Sequence, residues 1–268
     1  MKQALTIAGS DSGGGAGIQA DLKAFHAHGV FGASVITAIT AQNTREVRGA
    51  WDLPVEWIRA QMDAVLDDLE IGAAKTGMLS SVAIIETVAG VLDARGFKNL
   101  VVDPVMISKS GYRLLRDDAI DALKTHLLPM ARVVTPNLHE AALLAGCEIA
   151  SLEDMKRAAE KIASLGARAV VVKGGHAPFA LAVDVLFAGG ESHELRPDGP
   201  VRERSVHGTG CTFSAAITAR LALGEDLRTA VEKSKRYITR AIAASPDVGH
   251  GHPPAGHFYF LGAGDWEQ

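Results

Sequence analysis

The sequence predicts an α/β fold: a mostly parallel central sheet with helices on both faces and an antiparallel hairpin at one edge. Three observations predict it. Short apolar runs alternate with stretches whose apolar residues recur every three or four positions. The runs are rich in Val and Ile, as strands buried on both faces are. Glycines, 28 of 268 residues, concentrate where the runs give way to helices. No repeat, low-complexity tract or linker interrupts the pattern, so one domain is expected over 1–268.

Residues 3–9 read as a buried strand and 15–28 as a helix with Ile18, Leu22 and Phe25 on one face. Between them, SDSGGGAG offers the spacing Gly15-x-Gly17-x-x-Ala20 of a dinucleotide fingerprint. That reading fails on the next strand, 31–42, which ends in Gln42-Asn43-Thr44 and not in the acidic residue that binds a ribose. A Gly-Lys-Ser/Thr phosphate loop is also absent. Pro54 opens a helix to Leu69 with Trp57, Ile58, Met62, Val65, Leu66 and Leu69 on its apolar face, and 71–76 is a short strand. Ser80 is expected to cap a helix running to Arg95, and 100–102 is a strand ending at Asp103-Pro104. Helix 117–128, strand 132–135 and helix 138–145 continue the rhythm. Ser151-x-x-Asp154 opens a helix to Leu165, followed by the β-branched strand 169–172. The alternation then breaks, because 181–188 and 192–196 pair as a hairpin around Gly189-Gly190. A helix from Cys211 to Leu223, stopped by Gly224, and a last one over 226–244 complete the pattern.

Composition excludes several classes of function. The 27 basic and 31 acidic residues give a net charge of −4 with no basic stripe, which argues against nucleic acid or an anionic membrane as a partner. No apolar stretch reaches membrane-spanning length, and the first residues lack a signal peptide's apolar core. Cys147 and Cys211 are the only cysteines and no zinc spacing occurs, so a reducing cytoplasm is the expected compartment. His250, His252 and His257 read as histidines of a Gly/Pro-rich tail in preference to a metal site.

Ligands of open α/β sheets bind beyond the carboxyl ends of the strands. Here that edge collects Gly9, Gln42, Thr76-Gly77-Met78, Asp103, Asn137, Lys173-Gly174-Gly175 and the turn at Gly208. At that turn, the backbone amides of Gly208, Thr209, Gly210 and Cys211 converge at a helix mouth, where unpaired N–H groups and the helix dipole favour an anion such as phosphate. Cys211 stands in the first helical turn, which is expected to lower its pKa, although a small buried hydrophobe is the commoner role of a free Cys. Phosphoryl transfer requires donors on the phosphates, a divalent cation and a held acceptor. Asn137 and Glu140 offer oxygens to Mg²⁺, directly or through its waters, or else form an ordinary helix cap. Lys173 can neutralise phosphate charge, and Asp103 either joins the metal's hydration shell or merely opens a turn.

The segments AGSDSGGGAGIQADLK, TAQNT, KTGM, VVDPVM, TPNLHEA, VVKGGH, HGTGCTFSAAI and HGHPPAGHFY occur in this order from about Ala4 to Tyr259. Together they resemble the hydroxymethylpyrimidine/phosphomethylpyrimidine kinases of the ribokinase-like superfamily. His139 stands where that family often has Pro. The resemblance implies an enzyme that uses ATP and Mg²⁺ to phosphorylate 4-amino-5-hydroxymethyl-2-methylpyrimidine and then its monophosphate, as a homodimer. It assigns the pyrimidine to Gln42, the ring walls to Ala16, Met78, Val105 and Cys211, and the anion hole to Gly208–Cys211. Gly9, ending the first strand, is placed with the substrate residues. Asn137 and Glu140 match the Mg²⁺ region, and Asp103, Lys173 and Thr209 lie near the phosphates. Most ribokinase-like sugar kinases have a carboxylate base where this chain has Cys211. A thiol repels a phosphate acceptor less than a carboxylate does. Lys109-Ser110-Gly111 is the expected flap. The alternatives are a pyridoxine or pyridoxal kinase of the same fold and a pyrimidine-binding sensor without catalysis.

Overall fold

The computed structural model describes residues 1–108, 111–116, 118–175, 177, 179–199 and 205–261. Nine strands among them form one sheet in the order β3-β2-β1-β4-β5-β6-β7-β8-β9. The strands are β1 (Gln3–Asp11), β2 (Phe31–Gln42), β3 (Val47–Asp52), β4 (Ile71–Thr76), β5 (Leu100–Val102), β6 (Ala131–Val134), β7 (Ala169–Val172), β8 (Asp184–Ala188) and β9 (Glu191–Leu195). Strands β2, β1, β4, β5, β6 and β7 run parallel, while β3 at one edge and the β8–β9 hairpin at the other are antiparallel.

Side chains along each central strand alternate between two cores. Leu5, Ile7, Ala74, Leu100, Val102, Val134, Val170 and Val172 face one, and Ala4, Ala73, Val101, Val133, Ala169 and Val171 the other. Helices α2 (Val55–Asp68), α3 (Val82–Ala94), α4 (Ala119–Ala122), α5 (Leu138–Ala145) and α6 (Leu152–Ala163) cover the first core. Helices α1 (Gly17–Ala27), α7 (Thr209–Ala222) and α8 (Leu227–Ala243) cover the second. Strand β1 has its sequence neighbour β2 on one side and β4 on the other, so the winding reverses there and leaves a crevice at the carboxyl ends of β1 and β4.

Several local expectations change. Strand β3 was not anticipated, because Arg48 and Gly49 break any apolar alternation and its Trp51 is exposed. Ser80 does not cap α3. The N-cap is Ser81, whose side chain makes no cap bond, while the buried Ser80 hydroxyl has no partner among the described residues. The 117–128 helix is α4 followed by a π turn at Leu123–Leu127 and a 3₁₀ turn at Leu128–Met130, where Pro129 supplies no amide. Asp117, the predicted start of that helix, lies outside the described residues, as do Lys109 and Ser110 of the expected flap. Ser151 caps α6 as expected, accepting from Asp154 N at 3.1 Å.

Two histidines link the fold to pH. His28 packs edge-on against Tyr237 with ring centroids 4.5 Å apart, and its Nδ1 is 2.8 Å from Ala24 O. His257 is 4% exposed and bonds Thr212 Oγ1 through Nε2 at 3.0 Å. Burial pulls the pKa of each down to about 4. Unfolded histidine protonates near 6.5, so both contributions to stability are full above that pH and are lost as pH falls towards 4. Each amounts to at most about 3 kcal/mol. Urea midpoints measured between pH 7 and 4.5 are expected to fall, and His257→Gln should flatten that slope.

Candidate active site

A cavity of about 1170 Å³ opens at the crevice where the winding reverses. Every site residue read from the sequence lines it: Gly9, Ala16, Gln42, Met78, Asp103, Val105, Asn137, Glu140, Lys173, Gly208, Thr209, Gly210 and Cys211. They come from the ends of β1, β2, β4, β5, β6 and β7, from the N-cap of α1 and from the starts of α5 and α7.

Helix α7 begins at Thr209 with Gly208 as its N-cap in the left-handed region, φ 74°, and no side chain caps it. Amides of its first turn are therefore free to meet an anion. A Cβ on Gly208 would overlap the carbonyl oxygen of Gly15, so the α7 mouth and the glycine loop after β1 touch backbone to backbone. Lys173 Nζ lies 3.2 Å from the point where a Cβ on Gly210 would stand, and Asp103 Oδ2 lies 3.9 Å from it. The cation thus sits beside the amide cradle.

Lys173 Nζ donates to Asp103 Oδ1 at 3.0 Å, and Thr135 Oγ1 and Ser214 Oγ donate to the same carboxylate. Burial pushes the Asp103 carboxyl up, but Lys173 and Lys75 and these hydrogen bonds outweigh it and hold it below the usual range. Lys173 is pulled down by burial and carried higher by Asp103 and Glu140, so it stays charged. Asn137 and Glu140 form a reciprocal capping box on α5: Glu140 N donates to Asn137 Oδ1 at 2.9 Å, and Asn137 N to Glu140 Oε2 at 2.8 Å. Both residues thus cap α5, and an amide or carboxylate oxygen that accepts one N–H bond keeps a lone pair for a metal-bound water. Burial, reinforced by the charge of Asp103 and opposed by Lys173, pushes the Glu140 carboxyl up to about 7.

Cys211 departs from expectation. Burial pushes its thiol up to about 12, despite Lys75 and the Gly17 amide pulling the other way, so the helix mouth does not produce a thiolate at neutral pH.

Sequence reading missed the arrangement that holds Gln42. Asp11 accepts from Gly13 N at 2.8 Å, Gly15 N at 3.0 Å and Ala16 N at 2.8 Å, which fixes the glycine loop around one carboxylate. His207 Nε2 lies 3.0 Å from Asp11 Oδ2 and 2.9 Å from the Gln42 amide. Burial raises the Asp11 carboxyl, but hydrogen bonds from His207, Gly13 and Ala16 bring it below its usual range. The Gln42 amide is thus held at both ends, with Nε2 against His207 Nε2 and Oε1 accepting from Thr40 Oγ1 at 3.2 Å. Ser12 Oγ clasps the Gln42 backbone, donating to its carbonyl at 2.6 Å and accepting from its N–H at 2.8 Å. The SDSGGG and HGTG motifs contain these residues, but only the fold shows that they meet.

The C-terminal histidines form no metal cluster; among the described residues no group of three His, Cys, Asp or Glu side chains does. His207 N donates to Pro253 O at 2.8 Å and His252 N to Thr44 O at 2.7 Å, so this segment straps the far end of β2 to the site. No described helix is long and apolar enough to cross a membrane.

A family profile described as phosphomethylpyrimidine kinase matches residues 11–256. The hydroxymethylpyrimidine/phosphomethylpyrimidine kinase of Rhizobium meliloti is 54% identical over 261 residues, covering 96% of this chain and 97% of that one. The solved phosphomethylpyrimidine kinase of Clostridium difficile aligns with TM-score 0.80 and 48% identity over 90% of this chain and 100% of its own. Bacillus subtilis pyridoxal kinase, solved as an ADP complex, aligns with TM-score 0.87 and 41% identity over 97% and 98%. With a matched profile that spans nearly the whole chain, and with relatives this similar along their full length, this protein belongs to the phosphomethylpyrimidine kinase family of ribokinase-like enzymes.

Proposed function

We propose that this chain transfers the γ-phosphoryl group of ATP to the hydroxymethyl oxygen of 4-amino-5-hydroxymethyl-2-methylpyrimidine, and then to the monophosphate so formed. The observation that carries this reading is that Gln42 and the amide cradle at Gly208–Cys211 open into one cavity. Gln42 offers a donor and an acceptor to the edge of an aminopyrimidine, between walls made by Gly9, Ala16, Met78 and Val105. The cradle and Lys173 receive the migrating phosphoryl, and Thr209 and Asp103 stand beside it. Cys211, neutral at physiological pH, lines the acceptor side as a weak donor and not as a ready base.

The donor set fits Mg²⁺ held through water. Two buried carboxylates, Asp103 and Glu140, share the cavity with Lys173, and Glu140 gains by proximity to a further cation. A site with one or two carboxylates that leaves the remaining positions to water and phosphate suits this ion. Glu140, backed by Asn137, would hold its hydration shell, and the ion would supply charge neutralisation on the phosphates.

One sheet carrying all nine strands supports reading the chain as one kinase domain, and two unpaired cysteines suit a reducing cytoplasm. ³¹P analysis of products formed from MgATP and the hydroxymethylpyrimidine is expected to show the monophosphate and then the diphosphate. Turnover of pyridoxal alone would favour the pyridoxal kinase reading, to which the Bacillus subtilis neighbour lends support. Pyrimidine binding without ADP release would favour a sensor.

A homodimer is part of the proposal. Ile39 and Trp51 are directly opposed on the antiparallel edge pair β2–β3 and are 46% and 64% exposed, an apolar pair suited to a second copy. Trp51→Glu is expected to yield monomers in size-exclusion chromatography with light scattering.

A further inference from the structure

Helix α8 turns one face to the cavity: Lys235, Ile238, Thr239 and Ile242 recur at three- and four-residue spacings and all line it. At the head of that face the buried Lys235 spends its ammonium on the junction between β7 and β8, donating to Ala182 O at 2.6 Å and to Asp184 Oδ2 at 2.7 Å. Asp184, also buried, accepts from Gly174 N through its other oxygen at 2.9 Å. Gly174 follows Lys173 directly, and a Cβ on it would overlap the carbonyl oxygen of Val183, so the chain leaving β7 is pressed onto the chain entering β8. Ala182 N closes the same junction by donating to Gly175 O at 3.0 Å. Ala182 has φ 56°, and among the described residues no other non-glycine residue has a positive φ. Such a backbone persists only where its surroundings impose it, and here Lys235 grips the carbonyl of the strained residue itself. A buried ion pair is weak evidence for stability, but this one commits both partners to the backbone of one junction in the cavity wall.

That junction stands apart from the residues that wall the pyrimidine. Gly9, Gln42, Met78 and Val105 stand at the ends of β1, β2, β4 and β5, whereas the junction joins β7 to β8, on the far side of β6 in the sheet. With the pyrimidine at Gln42 and the migrating phosphoryl at the cradle beside Lys173, the β7–β8 end of the cavity is what remains for the rest of ATP. We infer that Lys235 is a positioning residue for ATP. It acts through Asp184 and the Gly174 amide on the alignment of Lys173, and through the Ala182 carbonyl on the wall that Gly175 and Ala182 present to the nucleotide. Lys235 itself stays on its protein partners throughout. The inference rests on the kinase reading above and applies to both transfers alike, because both draw on the same bound ATP.

Lys235→Met alone strands the buried Asp184 carboxylate, so the test combines it with Asp184→Asn, whose amide oxygen still accepts from Gly174 N. In both half-reactions kcat/KM for ATP is expected to fall about 100-fold, the scale on which a small misplacement of a reactant acts. The KM of the pyrimidine should change by less than about twofold, since uniform binding of the acceptor is untouched. Matching losses for ATP and the pyrimidine would assign the pair a purely structural role and overturn the inference, as would an unchanged kcat/KM for ATP. A wild-type protein that releases no ADP with any acceptor would instead overturn the kinase reading itself. As a measurement independent of any variant, a crystal structure of the wild-type protein with a non-hydrolysable ATP analogue should bring the nucleotide within about 4 Å of Gly175 or Ala182, the range of van der Waals contact, with Lys235 still paired to Asp184. A nucleotide clear of both residues, or Lys235 drawn off Asp184 onto a phosphate, overturns the inference.

Discussion

Gly208→Ala is expected to lower kcat/KM at least about a thousand-fold for both phosphorylations, the scale on which displaced oxyanion donors and misplaced reactants act. Residue 208 has φ 74°, a conformation L side chains rarely adopt, and its missing Cβ is where the Gly15 carbonyl lies. A methyl group must therefore push apart the mouth of α7 and the loop held by Asp11, which moves the phosphoryl cradle and the pyrimidine walls together. Gly224→Ala is the matching control: its φ is 89° but open space surrounds it. It should cost about 1 kcal/mol of stability and leave turnover unchanged. Steady-state kinetics and urea denaturation of the two variants separate strain from site geometry. Equal activity loss in both would refute the account of the cradle.

Lys173→Met is expected to reduce kcat by about a thousand-fold or more, with the pyrimidine KM changed only a few-fold, because a cation on the transferring phosphoryl acts mainly in the transition state. The same change leaves Asp103, 1% exposed, with hydroxyl donors from Thr135 and Ser214 and no ion-pair partner. It also removes the charge that opposes the upward push on Glu140, so the variant should need more Mg²⁺ and a higher pH for half-maximal rate than the parent. Rate profiles against pH and Mg²⁺ measure both effects. A large rise in pyrimidine KM with kcat preserved would place Lys173 on the acceptor and not on the phosphoryl.

The parallel core was legible because buried strands such as Val101-Val102 and Val170-Val171-Val172 are apolar on both faces, and because glycines mark their exits. What the sequence hid depends on long-range meetings. Strand β3 is held by pairing with β2 and not by its own pattern, and Asp11 and His207 are 196 residues apart. The pKa of Cys211 was misjudged for a related reason. A position in a helix's first turn is visible in sequence, whereas the burial that outweighs it comes from packing. Lys75, inside the strand 71–76, is buried and paired with Asp21 on α1, a meeting that no local pattern shows.

The meeting of Gly15 with Gly208, and of Thr44 with His252, also bears on the protein's biogenesis. While a ribosome is still making the chain, β1, β2 and the glycine loop emerge long before their counterparts exist, so a nascent chain lacks both the cradle and the strap behind Gln42. Substrate cannot rescue a protein truncated before residue 208. Small-molecule stabilisers of this enzyme should protect only completed chains from proteases, which makes ligand-dependent resistance a gauge of finished synthesis.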